Sequence, residues 1–187
     1  SWHGFTQADL CVQRAITYIK EHQHADGCWF GRWGVNYIYG TWQAIIGPLR
    51  CGVDVSEQWV QRAGQWMRSI QKEDGSFGES ADSYEQPELK GQGPSTASQT
   101  AWATMVLLEI YGHRDPAVKK AIKWLVDNQL SEAQAADKAT NPDGDPAGSW
   151  HESEFTGTGF PRVFYLRYHL YRLYFPLMAI ARYISSH

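Results

Sequence analysis

Apolar residues recur along this chain at helical spacing. Val12, Ala15, Ile16 and Ile19 fall at i, i+3, i+4 and i+7, which predicts a helix with one apolar face. Val118, Ala121, Ile122 and Leu125 repeat the pattern, while Arg14, Lys119, Lys120 and Lys123 lie off that face. Asp115-Pro116 provides an N-cap and first-turn residue for the third such helix, and Ser56, ahead of Trp59, is expected to start the second. Between these amphipathic stretches lie segments that are apolar all round: Tyr39 to Leu49, Ser98 to Tyr111, and roughly Leu173 to Ile184. A half-exposed helix alternating with a nearly buried one predicts two concentric layers. Strand signals are confined to short extended pieces around Val163. The expected fold class is all-α, built from helical hairpins curling round a centre.

The pattern is also a repeat. Val12-Gln13-Arg14-Ala15-Ile16-Thr17-Tyr18, Val60-Gln61-Arg62-Ala63-Gly64-Gln65-Trp66 and Val118-Lys119-Lys120-Ala121-Ile122-Lys123-Trp124 align without gaps. A glutamine stands 11 residues after each Val: Gln23, Gln71 and Gln129. Gly27-Cys28-Trp29 and Gly75-Ser76-Phe77 follow the first two at equal spacing, whereas Gly148-Ser149-Trp150 follows Gln129 only after 15 additional residues. The three units cover about 8–51, 56–111 and 115–185. In each loop the glycine permits the turn and the amide can serve backbone groups of two neighbours, so a structural role is expected for these residues. Closing such hairpins into a ring takes about six of them, and open ends expose apolar faces unless capped. The abrupt start at Ser1-Trp2-His3-Gly4, with no signal peptide visible, adds to the expectation of a piece of something longer.

Composition narrows the chemistry. The 187 residues carry 17 basic and 20 acidic groups with no long run of either, which argues against nucleic acid. Three cysteines (Cys11, Cys28 and Cys51) lack metal spacing and fit a reducing compartment better than a disulfide scaffold. Aromatic residues reach 14% and concentrate late: seven of the 16 residues from Phe160 to Phe175 are aromatic. Phe164, Tyr168, Tyr171 and Phe175 sit at i, i+4, i+7 and i+11, so one helical face is expected to carry them, after a stiff turn at Gly157-Thr158-Gly159-Phe160-Pro161. A core stripe is the plain reading. Phenylalanine and tyrosine faces would also stabilise a cation that cannot hydrogen-bond, a carbocation above all, at roughly 0.5–2 kcal/mol per ring. Asn141, Asp143, Asp145 and Glu152 have calcium-loop spacing, but Pro146 stands where glycine is needed, so a solvated insertion is expected. No nucleophile elbow, zinc-protease motif or phosphate loop occurs, and no paired carboxylates suggest a proton donor.

These residues resemble the squalene–hopene cyclases, bacterial members of the triterpene cyclases. The Gln-x-x-x-Gly-x-Trp loops are similar to that family's QW motifs. Trp29 to Thr41, Gly91 to Trp102 and Gly157 to Tyr171 are similar to further segments of its carboxy-terminal third. The resemblance implies an (α/α)6 barrel, the terpenoid cyclase toroid, of which residues 1–187 supply about half. It implies an isomerase of hopanoid biosynthesis that polycyclises squalene without a cofactor or metal. Carried over residue by residue, it makes Phe160 and Phe164 stabilisers of mid- and late-stage cations. It assigns Tyr168 and Tyr171 to the support of the cavity, and Tyr39 to the network that recharges the acid. It places Trp33 and Tyr165 beside the substrate. The family's initiating acid, an Asp-x-Asp-Asp motif, has no counterpart here, so the chain alone is expected to be inactive. Implied partners are squalene or a similar polyprenoid, the remainder of the enzyme, a membrane surface and a second copy in a homodimer, with a cytoplasmic, monotopic location. Two alternatives stay open: a helical-repeat binding module without chemistry, and a cyclase of another polyprenoid.

Overall fold

The computed structural model describes residues 4–187; Ser1-Trp2-His3, read above for a leader, lies outside them. The described residues form seven α-helices: α1 Leu10–Glu21, α2 Tyr37–Arg50, α3 Gln58–Ser69, α4 Ala97–Tyr111, α5 Pro116–Asp127, the short α6 Glu132–Ala136 and α7 Tyr171–Ser185. Two short strands, β1 Gly157–Phe160 and β2 Phe164–Leu166, form an antiparallel hairpin about Val163. The all-α expectation holds, and the extended signal was local. None of the described helices is long and apolar enough to cross a membrane.

Helix α4 is the centre. It is apolar all round, buries 13 of its 15 residues, and packs against α2, α3, α5 and α7. Helices α3 and α5 bury one face each, as their spacing predicts. The flanking helices differ from expectation. α1 buries no residue fully, and α7 buries only Phe175, Pro176 and Ala179, because each has neighbours on one side only. Asp115 caps α5 as expected, accepting from the Ala117 and Val118 amides. Ser56 does not cap α3: the helix starts from Glu57, and the Ser56 amide donates to Asp54 in the turn before it.

The loop glutamines tie each unit to the next. Gln23 Nε2 donates to the carbonyl of Gly27 in its own loop at 3.0 Å and to that of Trp59, in the first turn of α3, at 2.8 Å. Gln71 repeats this on Gly75 at 3.0 Å and on Ala117, in the first turn of α5, at 2.9 Å. Gly27 and Gly75 have φ of +104° and +93°, and a β-carbon there would lie 2.5 Å and 2.6 Å from the carbonyl oxygens of Arg62 and Lys120. Glycine is therefore needed twice over, for conformation and for contact. The loop aromatics Trp29, Phe77 and Trp150 are buried; the indole N–H of Trp29 donates to Ile19 and that of Trp150 to Leu125, both at 2.7 Å, closing the last turn of the outer helix. Gln129 reaches only Gly148, at 2.8 Å, and nothing stands within 4 Å of a β-carbon at Gly148.

A second device went unread in the sequence. Helices α2 and α4 begin inside the protein, and buried glutamates from the following loops cap them. Glu79 accepts from the amides of Asn36 at 3.2 Å and Ile38 at 2.9 Å. Glu152 accepts from the Ser98 amide at 2.9 Å, the Ser98 hydroxyl at 2.8 Å and the Thr156 hydroxyl at 2.9 Å. This corrects the reading of 141–152 as a solvated insertion. Asn141, Asp145 and Glu152 are buried; Asn141 spans the turn to Asp145, which pairs with Arg172 and His151. Their oxygens are committed within the protein.

Two outcomes are expected in urea denaturation. Gln71→Ala should cost about 1–3 kcal/mol, since two hydrogen bonds go, one of them to the first turn of α5, and Gln129→Ala less than about 1 kcal/mol; equal losses would contradict the tie. Glu152→Ala should cost about 3 kcal/mol by orphaning buried donors, with Glu152→Gln milder. Burial already pushes this carboxyl above the usual range, so a neutral acceptor is tolerated there.

Candidate active site

The aromatic candidates come from two segments that lie side by side at the N-terminal ends of α2 and α7. The first is the turn from Phe30 to Asn36, and the second is the β1–β2 hairpin. They are stitched together by backbone: the Thr158 amide donates to Trp33 at 3.0 Å, the Val35 amide to Thr156 at 3.0 Å, and Gly34 bridges Gly157. This is not the helical face that the spacing suggested. Phe164 and Tyr165 are in β2, Tyr168 is in the following turn, and only Tyr171 and Phe175 share α7.

Glycines explain why the period failed. A β-carbon at Gly159 would lie 2.0 Å from the Phe164 ring, and one at Gly157 would lie 2.4 Å from Tyr168. Across the site, a β-carbon at Gly34 would lie 2.3 Å from Tyr39. Each ring thus rests directly on bare backbone, which a helix with its side chains cannot offer. The hairpin's left-handed residue is not one of these glycines; it is Arg162, with φ of +68°.

Exposed rings gather on one face. Trp33, Phe160, Phe164 and Tyr168 all present surface to solvent. Trp33 and Phe160 are edge-on at 6.3 Å, and Phe160 and Phe164 at 6.0 Å. The Arg32 guanidinium lies 5.3 Å from the Trp33 ring centre, so this π face already receives a cation. Tyr165, one residue along the strand, turns the opposite way and stacks on Tyr84 at 5.8 Å.

The tyrosines form the second part of the site. Tyr39 packs edge-on to Trp102 at 5.0 Å, and Tyr168 and Tyr171 lie 4.7 Å apart. Tyr171 continues to Trp102 at 5.8 Å and Phe175 at 5.1 Å, which ties the exposed face to the core. Burial pushes the Tyr39 hydroxyl above its ordinary pKa, against a hydrogen bond with Gln43. Burial, aided by Tyr39, Tyr174 and Tyr168, pushes Tyr171 up to about 12. Both phenols stay neutral in ordinary buffers, so they offer π faces and hydroxyl dipoles rather than charge.

Trp33 and Tyr39 also line an open concavity of about 390 Å³ with Trp29, Phe30 and Gln43. A larger one, about 940 Å³, lies at the opposite ends of α2, α4 and α7 among Arg50, Glu109 and Arg182, and its charges do not suit a hydrocarbon. One potential metal-ligand set assembles among the described residues. His24, Asp26 and Cys28 bring their ligand atoms within 4.8 Å of one another. The Lys90 ammonium sits on it, 2.8 Å from Asp26 and 3.1 Å from His24, and burial pushes the Cys28 thiol up, away from the thiolate a metal would need.

Sequence reasoning passed over Tyr84, Arg162 and Glu79, and weighed Glu152 only for calcium-loop spacing. The glutamates had a signal in the repeat: each stands two residues after the loop aromatic, Phe77 or Trp150, where the first unit has Gly31. Tyr84 and Arg162 had none, since their partners are distant in the chain.

Comparison with known proteins covers nearly the whole chain. Residues 1–185 match the family described as the squalene-hopene cyclase C-terminal domain. The squalene–hopene cyclase of Zymomonas mobilis is 44% identical over 182 residues, 96% of this chain and 25% of that protein. That of Alicyclobacillus acidocaldarius is 41% identical over 180 residues, 96% of this chain and 26% of that protein. The dammaradiene synthase of Dryopteris crassirhizoma is 39% identical over 186 residues, 92% and 25% respectively. The chain therefore spans about a quarter of the length of these relatives, rather than the third that the resemblance suggested. With nearly every residue inside the match, the chain belongs to the squalene-hopene cyclase C-terminal domain family.

Proposed function

We propose that this chain is the cation-stabilising portion of a squalene–hopene-type cyclase, and that Trp33, Phe160 and Phe164 present π faces to a migrating carbocation. The observation that carries the reading is their convergence on one exposed face, from segments more than a hundred residues apart, beside the rings of Tyr39, Tyr168 and Tyr171. In such a reaction an acid adds a proton to a terminal alkene, and successive double bonds attack the growing cation. Loss of a proton, or capture of water, ends the cascade. Rings without basic atoms stabilise each cation without intercepting it. When a proton is lost at the end the balance is an isomerisation, which needs neither oxidant nor metal. Tyr39 belongs to the hydroxyl network that recharges the acid, and Tyr165 holds the hairpin's far side near the substrate.

The acid comes from the remainder of the enzyme, and the third loop supports a place for that remainder. Gln23 and Gln71 each hold the first turn of a following helix, whereas Gln129 and Gly148 offer the same edge with no helix on it among the described residues. A further hairpin of an (α/α)6 barrel fits there. On this reading residues 1–187 are the carboxy-terminal part of the catalytic barrel, with units of about 8–51, 56–111 and 115–185. A hydrocarbon that dissolves in the bilayer supports a monotopic attachment on the cytoplasmic face, and a homodimer is compatible with it. The relatives' names include a dammaradiene synthase as well as squalene–hopene cyclases. A polyprenoid product other than hopene is therefore the second reading.

In the full-length enzyme incubated with squalene, gas chromatography should detect a polycyclic triterpene. Phe164→Ala should release products with fewer rings; an unchanged profile would reduce this ring to packing. The 187-residue chain alone should yield no product, and turnover by it would refute the division of labour.

A further inference from the structure

The two segments of the aromatic face are separated by more than a hundred residues, and one buried side chain touches both. Tyr84, 1% exposed, ends the short 3-10 turn Ala81–Tyr84. Its hydroxyl lies 2.8 Å from the carbonyl of Gly31 and 2.9 Å from that of Gly34, so a single hydrogen shared between them holds both ends of the Trp33 turn. Its own carbonyl accepts from Arg162 Nε at 2.9 Å, at the tip of the hairpin that carries Phe160 and Phe164. Its ring stacks on Tyr165, from the same hairpin, at 5.8 Å and 19° between planes. Phe30 meets the same ring edge-on at 5.4 Å.

Phenylalanine would fill the Tyr84 site and keep the stacking, but it would leave the buried Gly31 and Gly34 carbonyls without their donor. Arg162 is the one non-glycine residue with positive φ among those described, a conformation that glycine adopts without strain. A side chain is kept where glycine would be easier, and that side chain reaches back to Tyr84. Resting on the cyclase reading above, we infer that Tyr84 and Arg162 are positioning residues. Through the Gly31 and Gly34 carbonyls and the hairpin tip, they set where Trp33 stands relative to Phe160 and Phe164. That spacing decides at which ring closure the cation meets a π face, and hence how far cyclisation runs before it is quenched. Neither residue touches the substrate.

The test uses the full-length enzyme and squalene, with the ratio of incompletely to fully cyclised products as the readout. This ratio is set per turnover, so loss of folded protein does not move it. Tyr84→Phe should raise it by roughly two- to thirtyfold, the factor carried by a weakened cation–π contact. Arg162→Gly should raise it within the same range with no loss of melting temperature, because the backbone strain is relieved as the tie is lost. Arg162→Lys, which can still donate to the Tyr84 carbonyl, should bring the ratio back toward wild type. An unchanged ratio in both Tyr84→Phe and Arg162→Gly overturns the inference and leaves the cyclase reading standing. A wild-type enzyme that forms no polycycle from squalene overturns both.

Discussion

Buried helix starts govern this architecture. The first amides of an α-helix have no partner within the helix, and at the surface water supplies one. Helices α2 and α4 begin where water does not reach, so Glu79 and Glu152 accept from them instead. Each glutamate comes from the loop of the next unit. An inner helix is therefore completed by its neighbour, and the outer helices are joined the same way through Gln23 and Gln71. Units linked by such reciprocal ties stand or fall together, which is how a stack of short hairpins, each unable to bury its own apolar face, becomes one body. The same loops carry the candidate aromatic face: Trp33 stands three residues before Asn36, whose amide is held by Glu79.

Much of this was legible in the chain, for a physical reason. The inner helices expected at Tyr39–Leu49, Ser98–Tyr111 and Leu173–Ile184 run from Tyr37 to Arg50, Ala97 to Tyr111 and Tyr171 to Ser185. Periodicity reports burial of helix faces directly, and the glutamines were visible because a repeat shows each one three times. What escaped was whatever depends on distant partners. Glu79 and Asn36 are 43 residues apart, and Ser98 and Glu152 are 54 apart. Arg162 and Tyr84 are separated by 78. Aligning the units on Phe77 and Trp150 would have exposed the glutamates, whereas Tyr84 occurs in one unit only.

The misplaced aromatic helix is the more instructive difference. Phe164, Tyr168 and Tyr171 satisfy a helical period, yet a hairpin and a turn carry the first two. The glycines at 157 and 159 were read as turn formers, whereas their role is to let rings lie on the backbone. An aromatic group supported this way keeps one face against the protein and turns the other outward. A core stripe would have buried both. The exposed phenylalanines and tyrosines are thus held in fixed orientation, which on the proposed reading is the condition for preorganised stabilisation of a cation, while Trp102 and Phe175 pack behind Tyr171.

Because no side chain separates Tyr39, Phe164 and Tyr168 from Gly34, Gly159 and Gly157, these rings have no slack behind them. The wall they form cannot retreat to admit a bulkier guest; room can be made only by trimming a ring. Methyl groups introduced at the glycines would act in the opposite sense, thrusting a ring outward by a fraction of its own thickness. Three backbone positions therefore work as depth stops for the aromatic face. A redesign that aims to reshape that face could begin with the glycines behind it rather than with the rings.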